Sequence, residues 1–462
     1  MWSLSNPLPR TRNVPLSAHL TSNIVLANIV LGISVFSFGF DNVAFNTMQA
    51  MGPFEKQFGT YDPSSGDWEI DATHLAFLNS FPLISYAVAV FIAAHIGERY
   101  GRRAVLVLMQ LVCLTGVIVT YTSNTFPQIL VGRMLVNMHI GMEAWLVPML
   151  QAEIVPAAVR GAMVILYIFD HQLGAFICSI VTNFTSDLVD DRSWRIPIEC
   201  MFVFPCLVLV FNWVVPETEE AKLLLESLEE AETATKGSWM DLVRGTNLRR
   251  TSIAVLAAFF SQFSGNSFSS SYGTVFLKQV GGFDAFTGTL IKKGIVVLGP
   301  ITNILLVERI GRRNMAIFFA VLAASSLLTL GGLGCKTPLT MPYKKGIVAM
   351  TIFFPYARIA SFGAMGTLMA AEVPHLSLRD KTSFAAWTTS NLCEFITTFT
   401  LPYLLKAPYA NLQSKVGLIY GAFATVGVVW MVACLPDLRG RSLEETEEMF
   451  EARVPAWKMG GE

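Results

Sequence analysis

Charge is scarce in this chain. Asp, Glu, Lys and Arg make up 15% of its 462 residues, against about 25% in ordinary soluble domains, and that deficit excludes a typical cytosolic enzyme. Neither sign dominates: 33 Lys+Arg face 34 Asp+Glu for a net charge of −1, so no basic field recruits nucleic acid. Cysteines are few and unpatterned. The seven (Cys113, Cys178, Cys200, Cys206, Cys335, Cys393 and Cys434) are an odd number, mostly inside apolar runs, with no CxxC pair, which argues against a disulfide framework or a zinc site. The six histidines are scattered (His19, His74, His95, His139, His171 and His375), and no nucleophile-base or metal-ligand constellation is present. The expectation is a protein that is not an enzyme, without metal or cofactor.

What the sequence has is apolar length. Hydrophobic residues are 53% of the chain, enough for about twelve segments of about 20 residues, the span of a hydrocarbon core of about 30 Å. Twelve runs can be drawn, at 24–46, 74–95, 104–121, 127–149, 161–182, 197–215, 251–276, 287–307, 314–334, 346–370, 383–405 and 416–435. The fold class is therefore an all-α membrane protein with twelve transmembrane helices. The first run lacks a small-residue cleavage site and follows Pro7, Pro9 and Pro15, so it reads as a span and not a signal peptide. With both termini in the cytoplasm, and Lys292 and Lys293 counted outside, 20 Lys+Arg lie inside against 11 outside, in accord with the positive-inside rule. The acidic loop 47–73, with Asp62, Asp67, Glu69 and Asp71, reads as a solvated outer loop.

Three motifs recur in one order. Gly97-Glu98-Arg99-Tyr100-Gly101-Arg102-Arg103 returns as Val307-Glu308-Arg309-Ile310-Gly311-Arg312-Arg313, Glu153 with Arg160 returns as Glu372 with Arg379, and Pro216-Glu217 returns as Pro436-Asp437. The offsets are 210, 219 and 220 residues, so the chain is two six-span halves related by duplication. The expected division is 1–215 for one six-helix bundle, 216–250 for a cytoplasmic linker, 251–435 for the second bundle and 436–462 for a cytoplasmic tail. Within the linker, the stretch from Ala221 to Ala234 patterns as a short amphipathic helix. Glycine allows a tight turn at a helix end, and paired arginines can bridge carboxylates. Arg102, Arg103, Glu153, Arg160, Glu217, Arg312, Arg313, Glu372 and Arg379 are accordingly the candidate inner gate; plain obedience to the positive-inside rule is the alternative.

Ionisable residues inside a bilayer are expensive and seek partners. Asp41 in span 1 and Arg133 in span 4 are expected to pair, either as a proton-coupling switch or as a static ion pair that locks helices. Glu143, Asp170, His171, Glu199, Arg358 and Glu394 are further ionisable candidates. Span 7 reads from Ser261 to Gly273 with two glycines and dense amides and hydroxyls, the composition of a flexible or broken helix lining a wet cavity. Neutral donors beside aromatic faces suit a polyhydroxylated ligand; interhelical glue is the other reading.

These residues resemble the sugar porter family of the major facilitator superfamily, with the fungal branch closest in the run Leu378-Arg379-Asp380-Lys381-Thr382 and the ending Glu444 to Phe450. The resemblance is carried by Gly39-Phe40-Asp41, the two Gly-Arg-Arg turns, Gly132-Arg133, Trp194-Arg195-Ile196-Pro197, Pro216-Glu217, Gln262 to Tyr272, and Gly440-Arg441-Ser442-Leu443-Glu444-Glu445. It implies two bundles of the major facilitator fold, alternating access, a sugar (hexose or oligosaccharide) as substrate, and Asp41 with Arg133 as the proton-coupling pair. It also implies a cavity lined by Gln262, Asn266, Tyr272, Gln172 and Asn391. The chain departs from the family's pattern at Ile168, Ser261, Ser267, Ser271, Thr367, Ser390 and Glu394, so glucose specificity does not follow. The alternatives are an uncoupled facilitator of hexoses or polyols and a sugar sensor that does not transport. The partners expected are a polyhydroxylated small molecule, a proton and the lipid bilayer, for a monomer in the plasma membrane.

Overall fold

Helices connected by short turns account for nearly all the regular structure of the computed structural model, which describes residues 22–62, 66–154, 160–215, 238–336, 338–363, 365, 369, 373–374, 378–436, 448–452 and 454–459. The first half comprises α1 (Ser22–Met48), the short α2 (Gly52–Phe58), α3 (Ala72–Tyr100), α4 (Arg102–Tyr121), α5 (Phe126–Ile154), α6 (Arg160–Thr185), α7 (Arg192–Met201) and α8 (Val203–Phe211). The second comprises α9 (Gly245–Phe263), α10 (Asn266–Ser270), α11 (Gly273–Val280), α12 (Ala285–Ile310), α13 (Arg312–Leu333), α14 (Met341–Arg358), α15 (Arg379–Leu405) and α16 (Val416–Cys434). Taking α7 with α8 and α9 through α11 as one crossing each, and α2 as a surface helix, the described elements make twelve crossings. The amphipathic linker segment 221–234 lies outside the described residues.

Seven crossings are apolar enough to span a bilayer by length and composition alone: α1, α3, α4, α7 with α8, α13, α14 and α16. The other five carry Arg133, Glu143, Asp170, Gln262, Lys292, Lys293 and Glu394 within their length. Membrane helices gain nothing from hiding apolar surface among themselves, so their association depends on close contact at small residues. Such contact joins α1 to α6. A Cβ at Gly39 would sit 1.9 Å from the His171 carbonyl oxygen, and one at Gly174 would sit 2.1 Å from that of Phe36. The halves meet where α6 packs on α12 and α3 on α15.

Both Gly-Arg-Arg turns adopt one conformation. Gly101 and Gly311 have φ of +87° and +89°, the region glycine enters without steric cost, and each joins two crossings without an intervening loop. Beyond the turns, Arg103 Nη2 donates to the Asn212 carbonyl at 3.4 Å, and Arg313 Nη2 donates to that of Val432 at 2.7 Å. Those contacts repeat at offsets of 210 and 220 residues, as the motifs do. Cations at the last carbonyls of a helix also complement its dipole.

On the opposite face, residues 47–73 differ from the solvated loop expected. They form α2 and a hairpin of β1 (Thr60–Asp62) with β2 (Asp67–Glu69), in which Tyr61 pairs Trp68. Phe54 and Phe58 of α2 pack edge-on against the buried Trp194. Lys292 and Lys293 also lie elsewhere than expected: they are two turns inside α12, with Lys292 buried and its Nζ donating to the Ser269 carbonyl at 3.0 Å.

Candidate functional site

Span 7 breaks where its composition predicts. After Phe263 the chain turns through Gly265, at φ +90°, and helix resumes for only five residues in α10 before a second break leads into α11. A broken helix leaves backbone groups free for a cavity and its neighbours. The Ser270 carbonyl accepts from Asn46 Nδ2 of α1 at 3.0 Å, across the two halves.

Between the halves lies a cavity of about 240 Å³. The first half contributes Phe38, Asn42 and Asn46 from α1, Asn79, Leu83 and Tyr86 from α3, and Arg133, Asn137 and Ile140 from α5. The second contributes Ser270 of α10 with the adjoining Ser271, and Trp387, Ser390, Asn391, Glu394 and Thr398 of α15. Tyr86 and Trp387 face each other across the halves at 6.2 Å between centroids. Amides and hydroxyls thus alternate with aromatic faces, the lining that hydroxyl groups and ring C–H faces require.

Asp41 and Arg133 form a buried ion pair beside this cavity, Nη1 to Oδ2 at 2.7 Å. The guanidinium also lies over the Phe45 ring at 4.1 Å, a contact that is strengthened away from water. Arg133 itself lines the cavity, and among the described residues its Nε has no hydrogen-bond partner.

The expected sugar ligands separate into three groups. Asn391 lines the cavity, with its Nδ2 donating to the Trp387 carbonyl at 2.9 Å. Gln262 and Asn266 stand one layer behind. Gln262 Nε2 donates to Ser390 Oγ at 2.9 Å, and Asn266 Nδ2 donates to Gln262 Oε1 at 2.7 Å, with Glu394 Oε1 at 3.5 Å. They hold the lining residues in place. Tyr272 and Gln172 are off the described wall. Tyr272 is fully buried, its hydroxyl donating to the Thr398 carbonyl at 3.0 Å with that of Leu75 at 3.3 Å, so it pins α3, α11 and α15 together.

Of the departures from the porter pattern, Ser271, Ser390 and Glu394 are on the wall. Ser267 bonds Thr397 and Thr398 at 2.8 Å each, Ser261 offers its carbonyl to Arg358 Nη1 at 3.4 Å, and Ile168 is exposed. Thr367 lies outside the described residues. Glu143 is buried in α5, where Tyr167 donates to its Oε2 at 3.3 Å. Glu199 accepts from the Tyr121 hydroxyl at 2.8 Å.

Among the gate candidates, Arg102 stacks on Trp145 at 5.1 Å, Arg103 and Arg313 reach the carbonyls described above, and Arg312 begins α13 as Arg379 begins α15. Glu217 and Glu372 lie outside the described residues, as do the side chains of Glu153 and Arg160.

Four wall residues have a signal that spacing alone could have found. Asn42 and Asn46 stand one turn apart just after Asp41, with Asn46 Nδ2 donating to Asn42 Oδ1 at 2.8 Å. Asn137 follows Arg133 by one turn, and Asn79 interrupts an apolar run, where it exchanges hydrogen bonds with Gln49 at 2.9 and 3.0 Å.

A family model described as "Sugar (and other) transporter" matches residues 27–450. The chain is 24% identical over 452 residues to the hexose transporter HXT13 of Saccharomyces cerevisiae, covering 88% of this chain and 79% of that one. It is 24% identical over 457 residues to the major facilitator-type transporter ecdD of Aspergillus rugulosus, covering 89% and 84%. Among solved structures, that of a D-xylose-proton symporter superposes with a TM-score of 0.75 at 20% identity, over 91% of this chain and 100% of that chain. The fold is therefore that of the major facilitator superfamily. With a family model matched from the first crossing to beyond the twelfth, the chain belongs to the sugar (and other) transporter family.

Proposed function

We propose that the protein is a proton-coupled secondary transporter that carries one monosaccharide-sized, polyhydroxylated molecule per cycle by alternating access. The observation that carries this reading is the cavity walled by both halves, with the buried Asp41–Arg133 pair at its side. Its volume of about 240 Å³ lies below the roughly 300–1,000 Å³ of pockets for drug-sized ligands, which favours a single sugar ring over an oligosaccharide. Asn391 and the wall asparagines would bind hydroxyls, with Gln262 and Asn266 positioning Ser390 and Glu394. A proton on Asp41 would cancel its charge, and Arg133, no longer held, would turn toward the substrate.

The halves would be 1–215 and 251–435, joined by 216–250 and followed by the tail 436–462. The Gly-Arg-Arg face would be cytoplasmic, since moving Lys292 and Lys293 into the membrane sharpens the charge bias. There Arg102, Arg103, Arg312 and Arg313, with Glu153, Arg160, Glu217, Glu372 and Arg379, would make the gate. The protein would act as a monomer in the plasma membrane.

Proteoliposomes with an imposed pH gradient test this reading. Uptake of labelled monosaccharides should accelerate down the proton gradient in the wild type and ignore the gradient in Asp41→Asn. Wild-type uptake indifferent to the gradient would instead identify an uncoupled facilitator.

A further inference from the structure

A second cavity, of about 540 Å³, opens on the lipid-facing side of the first half between α1, α6 and α8. Its walls are apolar: Ile29, Ile33, Phe36, Phe204 and Leu207 line it, and Ile29 is 53% exposed. Two polar side chains interrupt these walls. Asn28 is 6% exposed; its Nδ2 donates to the Ile24 carbonyl at 2.8 Å, and its Oδ1 has no partner among the described residues. Asp170 lies against the α1 backbone at Gly32, where a Cβ would come within 2.9 Å of its Oδ2. Among the described residues nothing donates to that carboxyl and no cation pairs with it. Residues 28 and 32 are one helical turn apart, so both acceptors converge on one patch of the cleft.

Two acceptors without donors are costly in hydrocarbon, where no water completes them. The chain supplies the apolar walls and the acceptors, and the missing partner is a donor. We propose that this cleft is a lipid site for an apolar molecule with a single hydroxyl head, of the sterol class, whose hydroxyl donates to Asn28 Oδ1 or to Asp170. A fatty-acid or phosphatidate head would bring net negative charge against Asp170. A rigid ring body also fills the apolar volume with little loss of conformational entropy. The site is separate from the transport cavity, and its occupancy does not depend on what that cavity carries.

The test uses the full chain in phosphatidylcholine liposomes containing a diazirine-bearing cholesterol. Irradiation should place adducts on peptides within 25–36, 166–170 and 204–207. Unlabelled cholesterol should displace the probe, whereas cholesterol 3-methyl ether, which has no donor, should compete about fivefold less well, the worth of one hydrogen bond of about 1 kcal/mol. Asn28→Leu should weaken labelling by a similar factor, and Leu207→Trp, which fills the cleft, should abolish it. The ether comparison is made on the wild type and does not depend on any variant folding. Adducts spread evenly over the lipid-facing helices, or equal competition by the ether, would overturn the proposal. Better competition by a long-chain alkylammonium would also overturn it, because the cleft would then be a cation site.

Discussion

Asp41 and Arg133 cost each other little while together and a great deal apart. Removing one member of a buried ion pair leaves an unpaired charge, at about 3–5 kcal/mol, whereas replacing both by neutral groups is often tolerated. Asp41→Asn should therefore lower the thermal midpoint in detergent markedly, and Asp41→Asn with Arg133→Gln should recover most of it. Uptake separates a lock from a switch: the double variant should stay dead for gradient-driven uptake despite restored stability. If it transports like the wild type, the pair is only a lock. At Glu394, a carboxylate stands on the wall near Asn266. A hydrogen bond contributes about 0.5–1.5 kcal/mol, so Glu394→Gln, which exchanges one acceptor oxygen for a donor, should raise KM several-fold while the protein still folds. An unchanged KM for every sugar transported by the wild type would remove Glu394 from recognition. Both acids were legible as charges in apolar runs. Tyr272 differs: the resemblance assigned it to the cavity, whereas beyond the breaks at Gly265 and after Ser270 its hydroxyl meets the carbonyls of Leu75 and Thr398.

At the scale of elements, composition revealed the breaks but not the contacts. Gly265 and Gly273 among hydroxyl residues marked span 7 as discontinuous, and the Gly-Arg-Arg turns marked two helix junctions, because glycine and polar groups act locally on the backbone. Which face of a membrane helix meets which neighbour is weakly encoded, since lipid and protein interior are both apolar. Gly39 illustrates this. In sequence it is part of a motif with Asp41; in the fold it lets α1 approach the His171 carbonyl of α6. Gly39→Ala places a methyl group where backbone oxygen already stands, and relief requires separating two helices that meet again at Gly174. The variant should lose several degrees of thermal midpoint and move Asp41 relative to Arg133, so uptake should fall with stability. Gly52→Ala, with nothing within 4 Å of the added carbon, is the matched control and should change neither. A Gly39→Ala protein as stable and active as this control would show that the close approach is dispensable.

For the whole molecule, the repeated motifs were legible because each is a short local pattern, and transport was legible from the apolar runs together with motifs that resemble the sugar porters. The closure opposite the Gly-Arg-Arg face was not, since it joins residues with no local relation. Lys278, 223 residues from Glu55, pairs with it and also donates to the Ala50 carbonyl at 2.9 Å. Lys406, 337 residues from Glu69, pairs with it at 3.2 Å and donates to the Ile70 carbonyl at 2.8 Å. Both lysines belong to the second half and both acids to the first, so the pairs latch the halves together on that face. Burial pushes the Glu55 carboxyl above the usual carboxylate range, although Lys278 and, more weakly, Lys406 pull it back. In an open conformation Glu55 would meet water and return to an ordinary value near about 4.3. The closed conformation thus binds the proton more tightly, and linkage fixes the sign: closure gains as pH falls from the raised value toward the ordinary one, and loses as pH rises through the raised value. Distances between spin labels on α2 and α11, followed by pulsed electron resonance, should show the closed population growing as that face is acidified. In Glu55→Gln the dependence on pH over the same window should shrink, because the buried carboxyl of the latch is gone. A wild-type population that opens on acidification would reverse the sign, and would mean that attraction to Lys278, and not burial, governs the latch.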